Sequence, residues 1–143
     1  YKAFMPADLL NEPQVIVTAI PLYHVFALMV NFLTFFSFGA DNWLVPNPRD
    51  FDAFLATLKA ARPTVFMGVN TLYAGLVTHP AGKDVDWSRL RLAGGGGAAV
   101  IGTVSDKWQA LTGTFILEGY GLSETSPVAT LSAANRSTVP WRT

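Results

Sequence analysis

Five short runs of β-branched and aromatic residues recur along the chain, at 15–20, 43–45, 65–69, 90–93 and 115–117, each followed by turn or helix signals. Their nearly unbroken apolar character predicts strands covered on both faces. Between them, apolar positions return at helical spacing. Asp50 reads as the cap of a helix with Phe51, Phe54, Leu55 and Leu58 on one face and Asp52 in its first turn. Arg62, which precedes a proline, ends it. Asn70 reads as the cap of a second helix, with Leu72, Tyr73, Leu76 and Val77 aligned. A third spans about 98–112, with Val100, Val104, Trp108 and Leu111 in register and Gly113 as its stop. Strand, helix and strand alternate every ~25 residues, close to a βαβ unit. The fold class that follows is α/β: a parallel five-stranded sheet with helices on both faces and right-handed crossovers.

One run departs from this alternation. Residues 25–38 are apolar except for Asn31, Thr34 and Ser37, which recur every third position and place a polar seam down a helix. A membrane-spanning helix needs about 20 apolar residues, whereas a run of about 10–14 more often marks a core helix, so this run is read as core. Half of the 143 residues are hydrophobic and 14% are charged, below the roughly 25% usual for soluble domains. Faces that neighbouring segments cover in a larger domain would produce that imbalance. Ten basic and ten acidic residues cancel, and no basic stripe marks a nucleic-acid partner. The absence of Cys excludes disulfides, thiolate catalysis and Cys-based zinc sites, and with two His a metal would need carboxylates. The first residues carry no basic stretch ahead of an apolar one, so a cytoplasmic location is expected.

In open parallel sheets ligands bind beyond the carboxyl ends of the strands. Two segments that follow predicted strands are unusual. Four consecutive glycines, Gly94 to Gly97, lead through Ala98 into a helix. They serve either as a flexible turn or as backbone that approaches a flat or anionic ligand. The second segment is 118–127, EGYGLSETSP. Tyr120 could lay its ring on a base, Ser123 could donate to a phosphate oxygen, and Glu124 could hold Mg²⁺. The competing reading makes Ser123 a helix cap and Glu124 a first-turn acid. The residues alone leave the two even.

Residues 119–125, GYGLSET, resemble the Y-G-x-T-E signature of the acyl-adenylate-forming superfamily. The glycine run about 20 residues upstream belongs to the same resemblance. So does Pro21-Leu22-Tyr23-His24, which is similar to the P-L-x-H segment of fatty acyl-CoA synthetases. Asn47-Pro48-Arg49-Asp50 and Gly68-Val69-Asn70-Thr71-Leu72 read like the bacterial long-chain branch. The resemblance covers residues 1–134 as part of an AMP-binding domain and leaves 135–143 as an unassigned tail.

The resemblance implies a two-step reaction. A carboxylate attacks the α-phosphate of Mg-ATP to give an acyl-adenylate, and the thiol of CoA then displaces AMP. The acid is expected to be a fatty acid, with aromatic or other acids as the alternative. Carried onto this chain, the family's nucleotide contacts fall on Gly95, Gly96, Gly97, Ala98, Glu118, Gly119, Tyr120, Gly121, Leu122 and Ser123. Glu124 becomes the Mg²⁺ ligand, and His24 is set near the reacting carboxylate. A peripheral place at the inner face of the membrane and an oligomeric state stay open. The family's phosphate loop, ribose-binding Asp and catalytic Lys have no counterpart in these residues, so the segment alone is expected to be inactive. Outside the superfamily, a nucleotide- or lipid-binding α/β module without catalysis is the competing reading.

Overall fold

The computed structural model describes residue 9 and residues 11–132. Six strands form one sheet in the order β2-β1-β3-β4-β5-β6. They are β1 (Val15–Thr18), β2 (Asp41–Leu44), β3 (Val65–Gly68), β4 (Leu92–Gly95), β5 (Ile116–Tyr120) and β6 (Thr130–Leu131). The first five are parallel, and β6 adds to β5 in the antiparallel sense. Three α-helices accompany them: α1 (Phe51–Ala61), α2 (Asn70–Thr78) and α3 (Gly102–Thr112).

Strand alternation divides the core into two layers. Val17, Phe66, Ala93 and Ile116 point to one face, where they meet Phe54 and Leu58 of α1, Tyr73 and Leu76 of α2, and Trp108 of α3. Ile16, Val65, Met67, Leu92 and Leu117 point to the other face and meet Val30 and Phe35. That second layer rests under residues 25–36, which are helical as expected but wound as a π-helix over Ala27–Thr34. π-Helices are usually single turns and concentrate at functional sites.

Two of the three seam residues, Asn31 and Thr34, are buried, whereas Ser37 is exposed. Asn31 is fully buried and its Nδ2 donates to the Met67 carbonyl at 3.2 Å, while its own carbonyl accepts from Asn42 Nδ2 at 2.9 Å. Thr34 Oγ1 donates to the Met29 carbonyl at 2.7 Å. The bond from Nδ2 to backbone favours this orientation, while Asn31 Oδ1 is buried without a partner among the described residues. Leu28, Leu33 and Phe36 are left on the outer side, with Phe36 68% exposed. Among the described residues, no helix is long and apolar enough to cross a membrane.

Capping follows the sequence in part. Asp50 Oδ1 accepts from Ala53 N at 3.1 Å, and α1 ends at Arg62 in the left-handed region (φ 47°). Asp50→Ala should therefore cost about 1 kcal/mol in denaturant unfolding, the usual value of such a cap; a loss below about 0.3 kcal/mol would contradict it. Gly113 ends α3 at φ 76° as anticipated.

Three boundaries differ from the expectation. Asn70 is the first residue of α2, not its cap, which is Val69. β4 begins at Leu92 because Leu90 is held in a turn by Trp87, and this draws Gly94 and Gly95 into the sheet. α3 begins at Gly102, so residues 96–101 form a loop instead of its first turns. The tail assigned to 135–143 lies outside the described residues.

Candidate functional site

The strand order reverses at β1, which lies between β2 and β3, and the connections on its two sides run over opposite faces of the sheet. Such a switch point opens a crevice beyond the carboxyl ends. A cleft of about 1150 Å³ occupies that place. It is lined from the ends of all five parallel strands, including His24 after β1, Arg49 after β2, Thr71 after β3, Gly96–Ala98 after β4 and Gly121–Ser123 after β5.

Most of the expected residues meet here. His24, Gly96, Gly97, Ala98, Gly119, Gly121, Leu122 and Ser123 all line the cleft. The two glycine segments are neighbours, since β4 and β5 pair, with Gly95 opposite Glu118. A side chain at Gly96 would come within 3.4 Å of the Gly119 carbonyl. Gly97 lies at φ 79°, which other residues rarely adopt, and lets the chain turn out of β4.

Gly95 is placed differently. It is buried within β4, where a Cβ would meet Val100 at 2.6 Å and Ile116 at 3.1 Å. It lines no part of the cleft, so it serves packing and the cavity described below. Glu118 also stands back from the cleft. Its carboxylate accepts from Val100 N at 3.4 Å, and its backbone N–H and carbonyl both pair with Ser132, at 2.8 Å each. Tyr120 ends β5 with its ring 67% exposed.

The segment after β5 removes Ser123 as a helix cap but leaves Glu124 in the first turn, as the competing reading expects. Residues 123–125 form a single 3-10 turn whose cap position is Leu122, not Ser123. The hydroxyl that fastens this turn belongs to Thr125: Oγ1 accepts from Leu122 N at 2.9 Å and lies 3.0 Å from the Pro127 carbonyl. Gly121 must be glycine here, because a Cβ would run into the Pro127 carbonyl. Ser123 and Glu124 are exposed and their side chains form no hydrogen bond or ion pair with the described residues. No cluster of three metal-ligating side chains exists among the described residues.

His24 is exposed at the turn that opens the following helix. Its carbonyl accepts from Leu28 N at 3.0 Å, and its ring lies 4.6 Å from that of Tyr23.

Several contributors escaped the sequence reading. Asn70 Oδ1 accepts from Ile101 N at 3.0 Å, so with Glu118 it fastens the far end of the glycine loop. Tyr73 holds the near end: its buried hydroxyl is 2.7 Å from the Gly94 carbonyl, and burial raises its pKa above the ordinary range. Neither partner is adjacent in sequence, and polar side chains reaching across loops leave no periodic signal. Beneath the cleft floor lies a small cavity of about 60 Å³ between the sheet and the π-helix, walled by Phe26, Val30, Met67, Leu92, Leu117 and Leu131. Phe26, Gly119 and Val128 line both spaces.

The AMP-binding enzyme family matches residues 2–142. A long-chain-fatty-acid–CoA ligase of Haemophilus influenzae is 46% identical over 112 residues, covering 78% of this chain and 20% of that protein. The Salmonella typhimurium ligase of the same description is 41% identical over 119 residues, covering 83% and 21%. The solved structure of a benzoate CoA ligase from Burkholderia xenovorans superposes with a TM-score of 0.76 at 31% identity, covering 85% of this chain and 25% of that one. The chain thus spans about a fifth of the length of the curated relatives it matches. With the match extending over nearly every residue, the chain belongs to the AMP-binding enzyme family.

Proposed function

We propose that this chain is part of a ligase that activates a fatty acid with ATP as an acyl-adenylate and transfers the acyl group to CoA. The observation that carries this reading is the state of Ser123 and Glu124. Thr125 fastens the turn, so the Ser123 hydroxyl that lines the cleft is left for a ligand, with the exposed Glu124 carboxylate next to it in the chain, outside the cleft lining. In the first step a carboxylate oxygen of the acid attacks the α-phosphorus, and pyrophosphate departs with the bonding electron pair. In the second, the CoA sulfur attacks the acyl carbon, its proton is lost, and AMP leaves.

Bringing one anion against another requires donors placed in advance around the phosphate. In this reading the exposed Tyr120 ring stacks on adenine. The backbone of Gly96, Gly97 and Ala98, with that of Gly119, Gly121 and Leu122, follows the nucleotide, and Glu118 acts by holding that loop. Ser123 donates to an α-phosphate oxygen, and His24 orients the reacting carboxylate. Glu124 is the residue that would hold Mg²⁺; this hard ion takes one or two carboxylates together with substrate phosphates and water, so a lone protein ligand fits. When bound, the ion supplies charge compensation on the phosphates.

The apolar cavity supports a fatty acid. Its walls are apolar, as a hydrocarbon tail requires, and at about 60 Å³ it must widen to admit one. Met67, a flexible thioether, forms part of its wall and can give way. The test supplies the complete polypeptide carrying these residues with ATP, CoA and an equimolar mixture of fatty and aromatic acids. Mass spectrometry should find long-chain acyl-CoA, and predominance of an aromatic thioester would reverse the substrate assignment. Val30→Trp, which fills the cavity, should lower kcat/KM for palmitate roughly tenfold relative to octanoate, about 1.4 kcal/mol. An unchanged ratio would remove the cavity from the acyl path.

A further inference from the structure

The cleft extends well beyond the nucleotide end. Its lining reaches from β5 to the loop after β2, which is four strand spacings of ~4.8 Å, or about 19 Å, across the sheet. Over that whole length the basic side chains are Arg49 and His24, and no carboxylate lines it. Arg49 makes no ion pair among the described residues.

Two nearby carboxylates are engaged elsewhere, and Asp52, in the first turn of α1, does not line the cleft. Asp50 is turned back onto α1 by Ala53 N, and Asp41 accepts from Trp43 Nε1 at 2.9 Å. The other two basic residues of this region, Lys59 and Arg62, pair with Asp84 and Asp86 on the far side of α1. The loop that presents Arg49 is stiff. Pro46 and Pro48 fix its backbone, and Asn47 Oδ1 accepts from Arg49 N at 3.2 Å. The loop fixes the backbone of Arg49 and leaves its exposed guanidinium at the cleft, and a planar guanidinium matches the oxygens of a phosphoryl group in bidentate fashion.

We infer that Arg49 forms a second phosphoryl-anion subsite at the β2 end of the cleft, separate from the nucleotide contacts at β4 and β5. Two substrates of the reaction can supply that anion: the polyphosphate tail of ATP, which leaves as pyrophosphate, or the phosphates of CoA. This choice of sources rests on the function proposed above, whereas anion binding at Arg49 does not.

The experiment compares the complete polypeptide with its Arg49→Gln and Arg49→Lys variants. Calorimetric binding of pyrophosphate, and of adenosine 3′,5′-bisphosphate as the CoA fragment, should weaken about tenfold for at least one of them in Arg49→Gln, with partial recovery in Arg49→Lys. In steady state, a rise in KM for CoA with no change for pantetheine assigns the subsite to CoA. A rise in KM for ATP with CoA unaffected assigns it to the polyphosphate tail. Equal binding of both anions by wild type and Arg49→Gln would overturn the inference. If no acyl-adenylate forms yet pyrophosphate binding still depends on Arg49, the proposed function fails and the subsite stands.

Discussion

Glu124→Gln should lower acyl-adenylate formation by roughly 10³-fold and raise the Mg²⁺ concentration needed for half-maximal rate. The substitution keeps the size of the side chain and removes the charge that would grip a divalent ion, whose charge compensation contributes several kcal/mol. A factor of 10³ corresponds to about 4 kcal/mol in activation free energy. Ser123→Ala should be milder, near the 10²-fold lower end for a single hydrogen-bond donor to developing charge. Both residues are exposed and make no bonds to the described residues, so neither change should alter the unfolding midpoint. That combination separates a chemical role from a structural one. An unchanged rate of pyrophosphate release in Glu124→Gln would remove Glu124 from the site.

The second large effect is on stability. Trp108→Ala should destabilise the complete polypeptide by about 3–5 kcal/mol, the range for deleting a buried large aromatic side chain. Trp108 is fully buried, with ring centroids 4.8 Å from Tyr73, 4.9 Å from Trp87 and 5.9 Å from Phe66. Tyr73 is the side chain that holds the Gly94 carbonyl, so the cavity left behind should also loosen the glycine loop and raise KM for ATP. Trp108→Phe should cost much less. It retains most of the apolar contact and removes an indole N–H that is buried without a partner among the described residues. Denaturant unfolding of the two variants decides the matter; a loss under 1 kcal/mol for Trp108→Ala would show that this aromatic cluster is not the anchor of the layer.

Periodicity carried most of the fold into the sequence. The parallel strands, α1 and the glycine stop of α3 follow from apolar spacing and capping chemistry, which act over a few residues. What the pattern could not convey was tertiary. Asn31 and Thr34 read only as a polar seam on a core helix, and the pattern does not show which backbone carbonyls of the sheet and helix take up their hydrogen bonds. Gly94 and Gly95 look like loop, yet they lie in β4 because Met67 and Val100 fill the space their missing side chains leave. β6 is two residues long and exists through its pairing with β5, so no run announces it. At the carboxyl ends of the strands, His24, Gly96–Ala98, Gly119 and Gly121–Ser123 line the cleft, whereas Gly95, Glu118, Tyr120 and Glu124 do not. The residues that brace them, Asn70, Tyr73 and Thr125, reach across turns and loops and were invisible to spacing.

The central claim is that Gly96–Ala98, Tyr120, Ser123 and Glu124 form the adenylate end of a carboxylate-activating cleft. ATP–pyrophosphate exchange by the complete polypeptide, with palmitate and Mg²⁺ present and CoA omitted, tests it most directly. The account predicts exchange that requires both the acid and the metal and that falls roughly 10³-fold in Glu124→Gln. A folded protein that binds ATP yet exchanges no pyrophosphate with fatty or aromatic acids would contradict it and leave a nucleotide-binding module in its place.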